Sequence, residues 1–440
     1  MDRGLLVRNA YVVLPAGIHK SDVLVRGQRI AEIAPQIAVD PDLTVIEAEG
    51  LYLMAGVIDP QVHFREPGLE HKEDLQTASY ACAKGGVTSF LEMPNTNPPT
   101  TTPEALADKL ARARAKSVVN YGFFMGANGK NIPDLQTAHQ SCGVKIFMGS
   151  MHGELLVDRD EVLEEIFREV PRLIAVHAED QARIRERRSL LLENVSDPQP
   201  ALHSQIQDET AALLATQKAV ALSHKYQRRL HILHLSTGIE VEFLRQHKTP
   251  LITCEVTPQH LFLDTSAYGQ LGTLAQMNPP LRSADNCRLL WSGLLDGTID
   301  CIATDHAPHT LREKAQPYPN SPSGMPGVET SLALMLTAAM SGKCSIPQVS
   351  EWMSAKPALA YGIKERGQIQ KGWYADLILV DVNTWKPVRN EELLTKCGWS
   401  PFAGWHLTGW VHTTIVNGAI VYQSGKINPQ VRGMALEFFS

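Results

Sequence analysis

The sequence predicts an α/β protein in which residues 53–371 form a (β/α)8 TIM barrel and both chain ends, 1–52 and 372–440, build a small β-sandwich domain. Three observations predict it. Eight compact apolar runs alternate with helical patterns through the middle of the chain. Short β-branched runs between turn residues occupy both ends. Polar residues able to bind metal or move protons fall at the ends of several central runs.

The N-terminal end carries Leu5-Leu-Val, Tyr11-Val-Val-Leu, Val23-Leu-Val and Ile30-Ala-Glu-Ile. The C-terminal end repeats the style in Asp376-Leu-Ile-Leu-Val, Thr413-Thr-Ile-Val and Ala419-Ile-Val-Tyr. Short strands at regular spacing make a small β domain, and because chain termini often lie close in space, one domain can draw on both ends.

The central runs are Val57-Ile-Asp, Thr88-Ser-Phe-Leu, Asn120-Tyr-Gly-Phe-Phe, Val144-Lys-Ile-Phe-Met, Leu173-Ile-Ala-Val, Leu230-His-Ile-Leu, Leu251-Ile-Thr-Cys and Ile299-Asp-Cys-Ile-Ala. Near-continuous apolar strands are what a parallel sheet covered on both faces needs. Between them, Thr102-Pro-Glu-Ala-Leu-Ala-Asp-Lys-Leu opens with a cap residue and a proline at the first helical position. Residues 160–170 and 209–225 carry helix-spaced apolar side chains. Eight strands alternating with helices argue for the barrel, and a segment longer than the bare barrel's about 250 residues requires extended loops. The proline- and glycine-rich stretch 315–327 is one, either a surface excursion or a lid.

Bulk composition narrows the function. A chain of 440 residues with 44% hydrophobic and 20% charged residues folds around its own core without staples. The net charge of -6 is spread along the chain, which argues against a nucleic-acid surface or a polybasic membrane patch. Seven cysteines, an odd number with no C-x-x-C pair, read as reduced thiols. With neither a signal-peptide pattern nor a membrane-length apolar run, the cytoplasm is the expected compartment. The base rate for soluble enzymes favours a homo-oligomer, most commonly a two-fold dimer.

Active sites of this fold sit at the C-terminal ends of the strands. Strand one runs into Asp59-Pro-Gln-Val-His-Phe-Arg, strand five ends in His177, strand six in His234 and strand eight in Asp305-His-Ala-Pro-His. Each residue alone has a bland reading as a core, surface or capping group. Together they place nitrogen and oxygen ligands around one mouth, which suits zinc. Lys145 lies inside strand four, where little water can reach it. A carboxylated lysine there would carry negative charge and two oxygens able to bridge two metals. Gln61 and His63, two apart, share a face. His231 and His234, three apart, should face opposite ways, leaving His234 as the ligand and His231 as a packing residue. His203, His224 and His247 read as helix or loop surface.

These residues resemble the dihydroorotases of the amidohydrolase superfamily along essentially the whole chain. The specific pieces are Asp59-Pro-Gln-Val-His-Phe-Arg-Glu-Pro-Gly, Met93-Pro-Asn-Thr, Val144-Lys-Ile-Phe-Met-Gly-Ser, Val176-His-Ala-Glu-Asp, His234-Leu-Ser, Met277-Asn-Pro-Pro-Leu-Arg and Ala303-Thr-Asp-His-Ala-Pro-His. The resemblance implies reversible hydrolysis of (S)-dihydroorotate to N-carbamoyl-L-aspartate in pyrimidine synthesis, on one or two zinc ions. It assigns His63, carboxylated Lys145 and Asp305 to one metal, and Lys145, His177 and His234 to the other. Asp305 would be general base and then general acid. Arg65, Asn95 and His309 would read the substrate carboxylate, and Asn278 the ring.

One position departs from the family. Where it has His-x-His after the first strand, this chain has Gln61 before His63, and a glutamine carbonyl is a poorer zinc ligand than imidazole. Three consequences are open: weak ligation through oxygen, catalysis on one metal, or an inactive chain serving as a partner subunit of aspartate transcarbamoylase. The reading adopted is an active enzyme with a weakened or empty first site. Another cyclic amidohydrolase, an allantoinase or a hydantoinase (dihydropyrimidinase), is the alternative, and Arg65 with Asn95 speaks against a neutral ring.

Overall fold

Each of the eight apolar runs contributes a parallel strand: β1 (Val57–Val62), β2 (Val87–Glu92), β3 (Asn120–Phe123), β4 (Val144–Phe147), β5 (Ile174–His177), β6 (Leu230–Ile232), β7 (Ile252–Val256) and β8 (Cys301–Ile302). The structure, a computed structural model, describes residues 4–439 except 152 and 194. Strands β1–β3 form one ladder and β4–β8 a second. Met125–Gly126, one residue past β3, pairs with β4, and Val62 of β1 bridges His306 beyond β8, so the strands close into a barrel. Every residue of β1 through β6 is buried, the pattern of strands covered on both faces.

Helices cover the outside where the sequence places them. Pro103–Lys116 begins after Thr102, whose hydroxyl accepts from the Ala105 amide at 3.2 Å. Asp160–Glu169 and Glu209–Tyr226 bury only the inner faces of their turns. Among the described residues, no helix is long and apolar enough to cross a membrane.

The chain ends meet in one nine-stranded sheet rather than in two separate sheets. Tyr52–Ala55 is the seam. It pairs in parallel with Leu5–Leu14 and antiparallel with Leu377–Asp381, matching Leu53 to Leu379. Val7, Val12, Val23, Leu53, Leu377 and Ile415 form this sheet's own core. A buried ion pair, Arg366 with Asp376, ties it to the barrel, because Asn120 of β3 donates to the same Asp376 carboxylate at 3.1 Å. The connection between Leu377–Asp381 and Trp410–Val416 leaves the sheet and packs Trp399 and Phe402 against the loops above the barrel.

Candidate active site

The polar strand-end residues converge on a cavity of about 660 Å3 at the C-terminal mouth of the barrel. Gln61, His63, Arg65, Asn95, Lys145, His177, His234, Asn278, Asp305 and His309 all line it. A second cavity of about 590 Å3, among Val13, Leu359, Ile363 and Phe439, contains none of them.

Backbone geometry aims three of these side chains. Arg65, His234 and Asp305 take positive φ angles of 68°, 36° and 46°. Non-glycine residues are rarely held there, and such strain clusters at functional sites. The turn at His234 corrects an expectation. Strict alternation would put His231 and His234 on opposite faces, but β6 ends at Ile232 and the chain then twists. Both rings therefore lie inside: His234 in the cavity, His231 below it, in register with Ala175 and so with Lys145.

Two clusters form. In the first, Asp305 Oδ1 receives Gln61 Nε2 at 3.0 Å and lies 3.0 Å from His63 Nε2. His63 Nδ1 donates to Asn95 Oδ1 at 2.7 Å, which leaves an Nε2 lone pair facing the Asp305 carboxylate. Burial pulls the His63 ring below its ordinary value against the pull of Asp305, so neutral imidazole is favoured. In the second, His177 Nε2 donates to the buried Glu179 carboxylate at 2.8 Å, so its Nδ1 presents a lone pair. That Nδ1 lies 2.9 Å from His234 Nε2. Two imidazole nitrogens thus face one another across the same small space, and nitrogen donors of this kind suit zinc.

Lys145 completes the second cluster. Its Nζ is fully buried without a hydrogen-bond partner and sits 4.5 Å from the centre of the Phe147 ring. Burial pulls it down to about 7, against the attraction of Asp305, and so toward the neutral amine. His234 Nδ1 and Gln61 Oε1 are also buried without partners. Such orphaned groups call for an explanation, and a bound cation is one. The donor set fits a cation at Lys145, His177 and His234. It fits less well at Gln61, which has only an amide oxygen to offer, a poorer zinc ligand than imidazole.

At the cavity edge, Arg65 donates from Nε to the Pro308 carbonyl at 3.1 Å and brings a terminal nitrogen within 3.2 Å of His309 Nε2. Burial pulls Arg65 down to about 10, which leaves it cationic. Burial, with Arg65, Lys72 and Lys314 nearby, holds His309 well below the usual histidine range, hence neutral.

Sequence reasoning missed several residues. Glu179 stands two positions after His177, a spacing that could have marked it. His203 is not surface: it is buried, and its Nε2 contacts the Met277 carbonyl at 3.0 Å and Asn278 Oδ1 at 2.8 Å. His247 is exposed and His224 half-buried. Tyr318 through Gly324 line the cavity as a pinned wall: Gln276 Nε2 donates to the Ser321 carbonyl at 2.9 Å and Lys314 Nζ to the Pro322 carbonyl at 2.8 Å. Gly324, with φ 137°, presses close to the strand-eight motif, where a Cβ would meet the Ala307 carbonyl at 2.6 Å.

His231, Glu255 and Cys301 also offer ligand atoms within 4.8 Å of one another, deep in the barrel. Both ring nitrogens of His231 are already matched, Nδ1 by Thr253 Oγ1 at 2.7 Å and Nε2 by Glu255 Oε2 at 3.0 Å. Burial lowers His231 to about 3 and raises Glu255 well above the carboxylate range, which describes a neutral network.

The sequence pattern of the amidohydrolase family matches residues 52–421. A dihydroorotase of Methanosarcina acetivorans is 35% identical over 98% of this chain and 95% of its own length. One of Halobacterium salinarum is 36% identical over 92% of this chain and 94% of its own. Among solved structures, the L-hydantoinase (dihydropyrimidinase) of Arthrobacter aurescens superposes with a TM-score of 0.93 at 29% identity, covering 98% of this chain and 99% of that one.

Proposed function

The chain belongs to the amidohydrolase family, and we propose that it is a metal-dependent cyclic amidohydrolase interconverting (S)-dihydroorotate and N-carbamoyl-L-aspartate in pyrimidine synthesis. The observation that carries the substrate is the buried Arg65 beside His309. A planar guanidinium matches the carboxylate that dihydroorotate has and that hydantoin and dihydrouracil lack.

Lys145 as its carbamate, His177 and His234 would hold one zinc, and His63 with Asp305 would offer a second place that Gln61 weakens. The metal supplies Lewis-acid polarisation of the ring carbonyl and makes water acidic enough to react near neutral pH. The protein's own groups do the rest. Asp305 Oδ1 accepts from Gln61 Nε2, which leaves Oδ2 to take the proton of the attacking water. As the water oxygen bonds the ring carbonyl carbon and the carbon–nitrogen bond breaks, Asp305 returns that proton to the leaving nitrogen. Arg65, Asn95 and His309 orient the carboxylate, and Asn278 the ring. A cytoplasmic homodimer is the setting we infer, consistent with seven free cysteines.

A hydantoinase reading rests on the 0.93 TM-score, but fold likeness does not choose a substrate. A scaffold role for aspartate transcarbamoylase rests on Gln61 alone. The test is turnover of L-dihydroorotate against hydantoin and dihydrouracil by zinc-loaded protein, with metal counted on the same sample. Preference for dihydroorotate supports the proposal. Preference for a neutral ring, or no turnover with any metal, overturns it.

A further inference from the structure

His309 sits between two cationic donors and a carbonyl acceptor. Lys72 Nζ lies 3.1 Å from its Nδ1, a terminal nitrogen of Arg65 lies 3.2 Å from its Nε2, and the Ser323 carbonyl lies 3.1 Å from that same Nε2. An ammonium donates and cannot accept. With Lys72 as donor, Nδ1 is the acceptor, and the one ring proton is on Nε2. Either tautomer sets one cationic donor against a ring N–H, Lys72 at Nδ1 or Arg65 at Nε2, and the Ser323 carbonyl, an acceptor 3.1 Å from Nε2, decides for the Nε2–H form.

If Nε2 carries its proton, Nε2 and the Arg65 nitrogen are neighbouring donors that cannot bond each other. Two donors held 3.2 Å apart bracket a place for one acceptor oxygen. Lys72 is held for its task from the far side. Its Nζ is 3.2 Å from Glu313, and Glu313 is locked by the Thr310 capping box, its carboxylate accepting from the Thr310 amide and hydroxyl at 2.9 Å each. Asp74 caps the helix that follows Lys72, accepting from the Thr77 amide at 2.9 Å.

We propose that Lys72 is a positioning residue of the anion subsite: its donation to His309 Nδ1 fixes the Nε2–H tautomer, so that His309 and Arg65 present paired N–H donors to a carboxylate oxygen. That the oxygen belongs to dihydroorotate rests on the function proposed above, whereas the tautomer does not. Lys72 touches no substrate and acts through His309.

The experiment compares wild type, Lys72→Met, which keeps the stem and removes the donor, and Lys72→Arg, which keeps a donor. Nitrogen-15 NMR of histidine-labelled protein, with His309 assigned by its loss in His309→Gln, reads the tautomer directly. Steady-state kinetics on L-dihydroorotate read the consequence. In wild type, Nε2 is expected to be protonated and Nδ1 bare. In Lys72→Met that preference is lost and KM rises about tenfold, the worth of one oriented hydrogen bond, while kcat changes little. Lys72→Arg should restore both. A general loosening of the fold would instead lower kcat and leave the tautomer alone. The proposal fails if wild-type His309 carries its proton on Nδ1, or if Lys72→Met changes neither tautomer nor KM. Absence of dihydroorotate turnover in wild type would refute the substrate while the NMR result still decides the role of Lys72.

Discussion

The amide nitrogen of Gln61 lies 3.0 Å from Asp305 Oδ1, and the amide oxygen of the same side chain is buried without a partner. A glutamine so placed holds the carboxylate by hydrogen bonding where the family's histidine would offer a metal ligand. On the proposed function, Gln61 stands at one corner of the weaker metal site and offers it only an amide oxygen.

Gln61→His should restore that corner. The wild-type protein is expected to retain one tightly held zinc per chain after desalting, and Gln61→His to approach two. Elemental analysis of both samples decides it. Two tightly held zincs in wild type would show that Gln61 costs the site nothing.

The second cluster depends on Glu179, whose carboxylate is buried and takes both His177 Nε2 and the Ser150 hydroxyl. Removing such a support commonly weakens metal affinity about 10–100-fold. Glu179→Gln, still able to hydrogen-bond but uncharged, is expected to fall in that range in a chelator competition titration. Unchanged affinity would mean that His177 is oriented by packing alone.

Much of this site could be read from the sequence because strand ends in a barrel converge whatever the loops do. Gln61 and His63 were placed on one face by period-two alternation, and both reach the same Asp305 oxygen. The same rule failed for His231 and His234, because alternation stops where the strand does and φ at His234 is 36°. His203 was illegible for a different reason. Its partners, Met277 and Asn278, lie 74 and 75 residues away, and no local pattern announces such a contact. Lys72 was hidden likewise, in a loop whose partner His309 is 237 residues further on. The seam at Tyr52–Ala55, pairing with both chain ends, is also a long-range fact.

Arg65 should govern substrate choice. Arg65→Met is expected to lower kcat/KM for dihydroorotate by about two to three orders of magnitude, the range for truncating one partner of a buried charge pair. Turnover of hydantoin, however slow, should change far less. Parallel kinetics on the two rings check this, and equal losses on both would assign Arg65 to folding rather than recognition.

The buried histidines make stability depend on pH. Burial pulls His203 and His260 down to about 4 in the folded protein, whereas an unfolded histidine titrates near 6.5. Their stabilisation is complete above pH 6.5. Below it the unfolded chain takes up protons that the native state refuses, so stability falls with pH until about 4. Each contributes a slope of up to about 1.4 kcal/mol per pH unit inside that window. Asp59, pushed up to about 7 by burial, works the other way there, because its native carboxyl takes a proton before the unfolded one does. The share of His203 is therefore read from a difference. His203→Gln can still donate to the Met277 carbonyl and keeps every other titrating group. In urea unfolding at pH 7, 6 and 5, the gap between wild type and His203→Gln should shrink steadily as pH falls. A gap that stays constant would mean that His203 titrates alike in the folded and unfolded chains.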